Sequence, residues 1–391
     1  MFKKMTYLLF ISSLWACKGK EHINEEDLCA YSGICNQDQV DIDLNFFKKS
    51  LPNTQIYSKN VLLRAPLRVM QSFDIDANEN IYYSQLGAVN QNIQGQSRSH
   101  EIYILKSKAN VNTTSDFMTL KYFGHGSNIA IEEENSEIYV WVNSNGTKNT
   151  STLEYDASRS VSRIKYESGK VYEDGHAGET YFLNNGLYNT HPALDVENDV
   201  LAISATESGT RYFFFYRLSE AKKLALEDFT FDVIVGGEET GVDQQTITRN
   251  VRGYDLSRLK PLSTFFIEKG SNKMTDINSY SFQGFDVHGK YVFFYEGDGN
   301  ENNIINGPSG AYVTVFSLTG KILCHRTPVE AIANLDDLHD EGITKTGYME
   351  AEGIKIINNK VYIAFASRGY VATSDDNRRA NIFRYDLVTR Q

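Results

Sequence analysis

One pattern recurs five times along this chain, and it constrains the fold more than any other feature. Residues 71–84, 128–142, 192–204, 283–295 and 352–364 each read as a short apolar strand, a tight polar turn and a strongly apolar second strand. The turns carry Asn, Gly or Asp, the residues that tolerate a left-handed backbone in tight hairpins. A third segment of alternating or continuous apolar character follows each hairpin, at 101–105, 161–165, 212–216, 312–316 and 381–385. A weaker fourth follows at 117–121, 170–172, 229–233 and 321–323. Four antiparallel strands per unit, repeated radially, make a β-propeller. The second strands are apolar almost throughout, which suits burial on both faces between neighbouring blades. The expected fold is therefore all-β, a five-bladed β-propeller.

The last unit reaches Gln391 without a fourth strand of its own. Residues 57–67, upstream of the first unit, read as an unassigned strand. We expect this segment to supply the missing outer strand and close the ring, because sheet proteins avoid unpaired edges. Composition agrees with an ordered β domain. Tyr and Phe are plentiful at 24 and 22, and Pro is scarce at 6; aromatic side chains fit a pleated, half-buried surface. The net charge of −11 argues against a partner bound through its nucleic-acid backbone, which needs a basic face, so none is expected.

The first residues follow a different logic. Lys3 and Lys4 precede an apolar run over 5–14 that is too short to span a bilayer. Leu14-Trp15-Ala16-Cys17 then sets a small residue before a cysteine. This order reads as a secretory signal and resembles the lipobox of bacterial lipoproteins. That resemblance implies that Cys17 is lipidated and becomes the mature N-terminus. The alternative is an ordinary secretory signal with an incidental cysteine. The expected division is a signal peptide over 1–16, an acidic tether over 17–55 and a propeller over 56–391. The expected location is the cell envelope, lipid-anchored to a bacterial membrane and facing the periplasm or the exterior. Cys29 and Cys35 lie close together in the tether and could form a small disulfide loop in an oxidising compartment. Cys324 falls in a strand-like stretch and reads as a buried free thiol. No CxxC pair or His/Cys cluster suggests zinc.

Several phrases go beyond generic propeller character: Phe123-Gly-His-Gly-Ser-Asn-Ile-Ala130, Tyr139-Val-Trp-Val-Asn143, Ser281-Phe-Gln-Gly-Phe285, Tyr295-Glu-Gly-Asp-Gly-Asn300, Leu318-Thr-Gly-Lys-Ile322 and Glu350-Ala-Glu-Gly-Ile354. In this order they resemble the propeller shared by helveticin-type bacteriocins, the TagC-like protein of teichoic-acid operons and receptor-binding proteins of some tailed phages. The resemblance runs from about Ser72 to Asp386. It implies a five-bladed propeller associated with bacterial surface polymers, and no established catalytic set. The chain lacks the evident stem or tower segments of the phage members.

In a propeller the innermost strands begin around the central channel, so equivalent positions converge there. Here those positions are polar: Gln71, His125 with Ser127 and Asn128, His191, Gln283 and Glu352. Such a ring could bind a sugar, a phosphate or a cation, or it could hydrogen-bond neighbouring blades, since buried polar groups need partners. An acid beside imidazoles can hold a metal or move protons. No cofactor is established by the sequence, although a divalent cation fits this residue set. Asp74, Asp195 and Asp286 recur in equivalent places; three carboxylates could serve glycosidase chemistry, but their repetition favours architecture such as capping the hairpin turn. The stretch 296–301 offers oxygen ligands without EF-hand spacing. Tyr181, Phe182, Tyr188 and Tyr254 could stack on sugars or pack internally.

These features favour a lipid-anchored recognition protein that binds a cell-surface glycan, glycopolymer or protein partner at the channel mouth. The alternatives are a glycan or phosphodiester hydrolase using Glu352 with His125 and His191, and a helveticin-like bacteriocin.

Overall fold

The computed structural model describes residues 41–43, 47, 49, 51–87, 100–149, 155, 157–183, 186–237, 242–299, 309–368, 377–386 and 388–390. Cys17, Cys29 and Cys35, with the signal and most of the tether, lie outside these residues.

Five sheets radiate from one axis as the blades of an all-β propeller. Blade 1 runs outward through Met70–Ile75, Ile81–Leu86, Glu101–Ser107 and Phe117–Lys121. Blade 2 uses Ala130–Glu134, Glu137–Ser144, Ser160–Lys165 and Glu179–Phe182. Blade 3 uses Tyr188–Asp195, Val200–Glu207, Thr210–Arg217 and Ser263–Ile267. Blade 4 uses Ser281–His288, Tyr291–Gly297, Ala311–Ser317 and Ile322–Pro328. Blade 5 uses Met349–Ile357, Lys360–Arg368 and Arg378–Asp386, and its outermost strand is Gln55–Val61, antiparallel to Arg378–Asp386.

The inner hairpins form where the repeat places them, because their turns meet a backbone requirement. Asn135 and Ser136 of blade 2, and Asn358 and Asn359 of blade 5, all take positive φ. Two such residues in a row give the two-residue turn whose twist matches the flanking strands. Both strands of each hairpin are then largely buried, except towards the turn of blade 2, and five apolar clusters fill the five gaps between adjacent blades. The cluster between blades 5 and 1 joins Tyr362, Ala364 and Ile382 to Phe73, Tyr83 and Leu105, with Val61, Leu63 and Ala65 along its edge.

The outer strands depart from expectation in two places. Blade 2's fourth strand is Glu179–Phe182, and the expected segment near 170 supplies only Val171–Tyr172, parallel to the outer strand of blade 1. The segment 229–233, expected on blade 3, belongs to a long hairpin of Leu226–Gly237 and Val242–Asp255. That hairpin joins the outer edge of blade 2 through Tyr181 opposite Tyr254 and Phe182 opposite Asp255. Blade 3 is completed instead by Ser263–Ile267, from what reads in the sequence as a long connection. A 12-residue and a 14-residue strand also amend the expectation of a chain without large added segments. Cys324, expected to be buried, is half-buried on the outer strand of blade 4, where its Sγ lies 2.9 Å from Thr327 Oγ1.

Candidate functional site

Strand direction sorts the connections between two faces. Inner strands begin at one face, run to the tight turns at the other and return along the second strands. The connections between second and third strands therefore share the face where the inner strands start. Among the described residues this face carries Gly87 and His100, Asn145 to Asn149, and Asp298 and Gly299 with Ser309 and Gly310, whereas blade 3 there has the short turn between Glu207 and Thr210.

Three expected site residues sit where the inner ladder slips. The register breaks between Met70 and Ser72, between Phe282 and Gly284, and between Ala351 and Ile354. Gln71, Gln283 and Glu352 occupy these breaks. A bulge bends the strand and re-aims a side chain, so the recurrence sets three polar groups at matching heights on blades 1, 4 and 5. All three are buried. Gln283 donates from Nε2 to Gly297 O within its own blade. Burial, with Glu350 adding to it, holds the Glu352 carboxyl well above the usual carboxylate range.

Blade 2 contributes through a glycine-bracketed turn. A Cβ on Gly124 would lie 1.9 Å from Asn143 Nδ2, and one on Gly126 would lie 2.3 Å from Ser84 Oγ. Both residues have positive φ. Only glycine fits either place, and the turn between them leaves His125 and Ser127 half-exposed at the loop face. Asn128 has a different role. Its Nδ2 donates to Pro192 O of blade 3 at 2.6 Å and to Phe285 O of blade 4 at 3.0 Å, while its Oδ1 accepts from Phe285 N. It is fully buried. Of the two roles weighed for it, binding a ligand or hydrogen-bonding neighbouring blades, Asn128 makes the interblade bonds and laces blades 2, 3 and 4 together across the axis.

His191 lies on the inner strand of blade 3, 1% exposed, with no hydrogen-bond partner on either ring nitrogen. Burial first, then Arg211 and His125, hold its pKa well below the usual histidine range, so it is neutral. Its ring packs 4.8 Å from that of Phe282 on blade 4. The charges that act on Glu352 and on His191 are different ones: Glu350 in the first case, Arg211 and His125 in the second. Glu350 and Glu352 share the inner strand of blade 5, whereas His191 and Arg211 lie on blade 3.

Arg211 was not apparent as a site residue from the sequence. It is the second residue of the third strand of blade 3, just ahead of the apolar segment 212–216. Its guanidinium lies 3.7 Å from the Phe282 ring centroid, and its Nη1 donates to Ser204 Oγ at 3.0 Å.

The repeating aspartates are architecture, each binding the next blade. Asp74 accepts from Ile131 N, Asp195 from Gly289 N and Asp286 from Ile356 N, all at 2.7 Å. Asp195 also caps its own turn through Asn198, as anticipated. Blade 5 places Lys355 at the corresponding point, with Nζ 3.7 Å from Asp286 Oδ1. In the stretch 296–301, Glu296 is fully buried against Arg326 at 2.9 Å and accepts from Ser279 N and Tyr280 N, which leaves it no role in a cation loop. Asn300 and Glu301 lie outside the described residues. Tyr181 and Phe182 are buried in aromatic stacks and Tyr254 is half-buried, so Tyr188 is the exposed one of the four aromatics considered for sugar stacking. Among the described residues, no group of three His, Cys, Asp or Glu side chains is placed to hold a metal.

The resemblance drawn from the motifs holds in comparison with known proteins. Residues 69–182 match a family model described as a phage five-bladed β-propeller receptor-binding platform domain. That span contains the four strands of blade 1 and the first four of blade 2. The chain is also 24% identical over 322 residues to the putative major teichoic acid biosynthesis protein C of Bacillus subtilis (strain 168), a match covering 81% of this chain and 59% of that protein. The chain thus spans about 59% of the length of that curated relative. A protein of unknown function from Dyadobacter fermentans DSM 18053 superposes with a TM-score of 0.37 at 9% identity, covering 86% of this chain and 100% of the other. A family 43 arabinoxylan arabinofuranohydrolase from Bacillus subtilis superposes with a TM-score of 0.36 at 8% identity, covering 83% and 63%.

Proposed function

We propose that this chain is a recognition protein of the bacterial envelope, anchored by lipid on Cys17, whose propeller binds a surface glycan, a glycopolymer or a protein partner at its loop-bearing face. The observation that carries the reading is the match of residues 69–182 to a receptor-binding platform. Three register breaks that set Gln71, Gln283 and Glu352 near the starts of inner strands at that face support it, as do the half-exposed His125 and Ser127. The proposed domain division keeps 1–16 as signal, 17–55 as tether and 56–391 as propeller, with Gln55–Val61 closing the ring. Its supports are the antiparallel register with Arg378–Asp386 and the position of Val61 in the core between blades 5 and 1.

Hydrolysis through Glu352 with His125 and His191 draws no support from the side-chain geometry. Glu352 is buried on the inner strand of blade 5 and His191 on that of blade 3, where its ring packs against Phe282. A general acid–base pair needs its members within hydrogen-bond reach of one substrate.

Incubating the purified full-length chain with a panel of glycans and glycopolymers, with and without chelator, separates the readings. Retention without product release is the expected result. Chelator-sensitive product that disappears in Glu352→Gln would overturn it.

A further inference from the structure

Along the axis the inner strands of blades 4, 5 and 1 approach each other closely. A Cβ on Gly284 of blade 4 would lie 3.5 Å from Gly353 Cα of blade 5, and one on Gly353 would lie 3.5 Å from Ser72 Cα of blade 1. Two residues further towards the tight turns come Asp286, Lys355 and Asp74. All three side chains are buried, at 4%, 1% and 8% exposure. Lys355 Nζ lies 3.7 Å from Asp286 Oδ1 and has no hydrogen-bond partner. Its charge acts on Asp74 as well as on Asp286, and Asp74 acts on Asp286. One ammonium thus serves two carboxyls in a place shielded from solvent.

The carboxyls are tied in place. Asp74 accepts from Ile131 N and Asp286 from Ile356 N, so neither turns away without releasing the next blade. The other groups around them have their own partners. Asp195 of blade 3 accepts from Gly289 N and from Asn198 of its own turn. Asp76 accepts from Asn78, Asn80 and Tyr82, and adds like charge to Asp74. His288 Nε2 lies 3.0 Å from Asn359 Oδ1 of blade 5. Blade 2 brings Ile131 to this point, and Tyr362, opposite Lys355, packs in the core between blades 5 and 1. Among the described residues, Lys355 is the cation that acts on both carboxyls. Burial raises both acids against the pull of Lys355, and Asp286 reaches about 7.

We propose that Asp286, Lys355 and Asp74 form a pH-sensitive clasp on the axis, in which one ammonium keeps the carboxyls of blades 4 and 1 compatible and so holds blade 5 between them. The sign follows from linkage. Both acids have folded values above their unfolded ones, so their contribution to stability is present at low pH and is lost as pH rises through the folded values. Lys355 limits that loss by favouring the ionised forms. Without it the folded values climb further, and the loss extends above pH 7, where the clasp of the intact protein has already ionised at Asp286. At low pH the ammonium has little to neutralise and is itself a buried charge without hydrogen bonds, which is costly. The clasp therefore tightens the ring at neutral and alkaline pH and contributes little at acid pH.

The test is thermal melting of the full-length chain across pH 5–9 for wild type, Lys355→Met and the double variant Lys355→Met/Asp286→Asn. Methionine keeps the length of the lysine stem and removes its charge. Lys355→Met is expected to melt within a few degrees of wild type at pH 5 and to fall progressively below it as pH rises through 7 towards 9. The double variant removes one of the two carboxyls and is expected to recover at least half of the deficit seen at pH 9, while changing little at pH 5. A purely packing role for Lys355 gives a different pattern, because lost packing does not depend on pH. A deficit in Lys355→Met as large at pH 5 as at pH 9, failure to fold at both included, would overturn the clasp. So would the absence of a deficit at any pH, or a double variant that recovers nothing at pH 9.

Discussion

Two buried groups with perturbed pKa values push stability in opposite directions as pH changes. Asp286 is 4% exposed; burial pushes its carboxyl up to about 7 even though Lys355 opposes the shift. Its folded value lies above the unfolded one, so its contribution is fully present below about pH 4 and is lost as pH rises to about 7. His191 has the reverse sign. Its folded value is depressed, so stability falls as pH drops below the ordinary histidine range near 6.5, where the unfolded chain takes up a proton. Asp286→Asn therefore removes its share of the downward slope between about pH 4 and 7, leaving the shares of Asp74 and Glu352 and the histidine's loss below 6.5 in place. Thermal melting of both proteins across pH 4–8 checks this; identical slopes in the two would show that Asp286 ionises freely in the fold. Of the residues that matter here, Asp286 was legible in the sequence because it repeats. Arg211 was not, because what distinguishes it is its packing on the Phe282 ring, which a distant part of the chain contributes.

Elements were legible in proportion to how far their burial is symmetric. The inner hairpins are buried on both faces and closed by turns with a backbone requirement, so residues such as Asn358 and Asn359 announce them. Outer strands have one face in water and carry few apolar residues. Phe229 to Val233 has the alternation of an outer strand, but nothing local says which sheet it joins; the stack of Phe229 on Phe182 at 4.0 Å assigns it to blade 2. The fit of that hairpin depends on one close approach. A Cβ on Gly253 would lie 2.6 Å from Thr180 O and 2.8 Å from the Phe182 ring. Gly253→Val should therefore lift the hairpin from blade 2, at a cost of roughly 1–3 kcal/mol for overpacking. The expected signature is a lower melting temperature together with proteolytic cleavage within 226–255. The same substitution at exposed Gln245 should change neither, and cleavage there as well would assign the effect to the valine rather than to the contact.

At the scale of the whole molecule, a ring is stable only if its final gap is filled like the others. Four of the five gaps lie between blades that are consecutive in sequence, whereas the gap between blades 5 and 1 joins opposite ends of the domain. Gln55–Val61 completes blade 5 there, and the chain then passes directly into blade 1 through Leu63 and Ala65 in the same core. A chain beginning at Val69 loses Val61 and Leu63, both almost fully buried, and exposes the backbone edge of Arg378–Asp386. At about 1.5–3 kcal/mol for each large buried side chain, the apolar loss alone consumes much of a net stability of roughly 5–15 kcal/mol. The exposed edge adds a route to aggregation. Truncation at Val69 is thus expected to abolish cooperative melting, while a chain beginning at Asp41, which keeps the fully buried Phe47, should melt within a few degrees of the parent. Melting of the Val69 chain at the parental temperature would mean that blade 5 is stable with three strands and that the ring does not depend on its N-terminal segment.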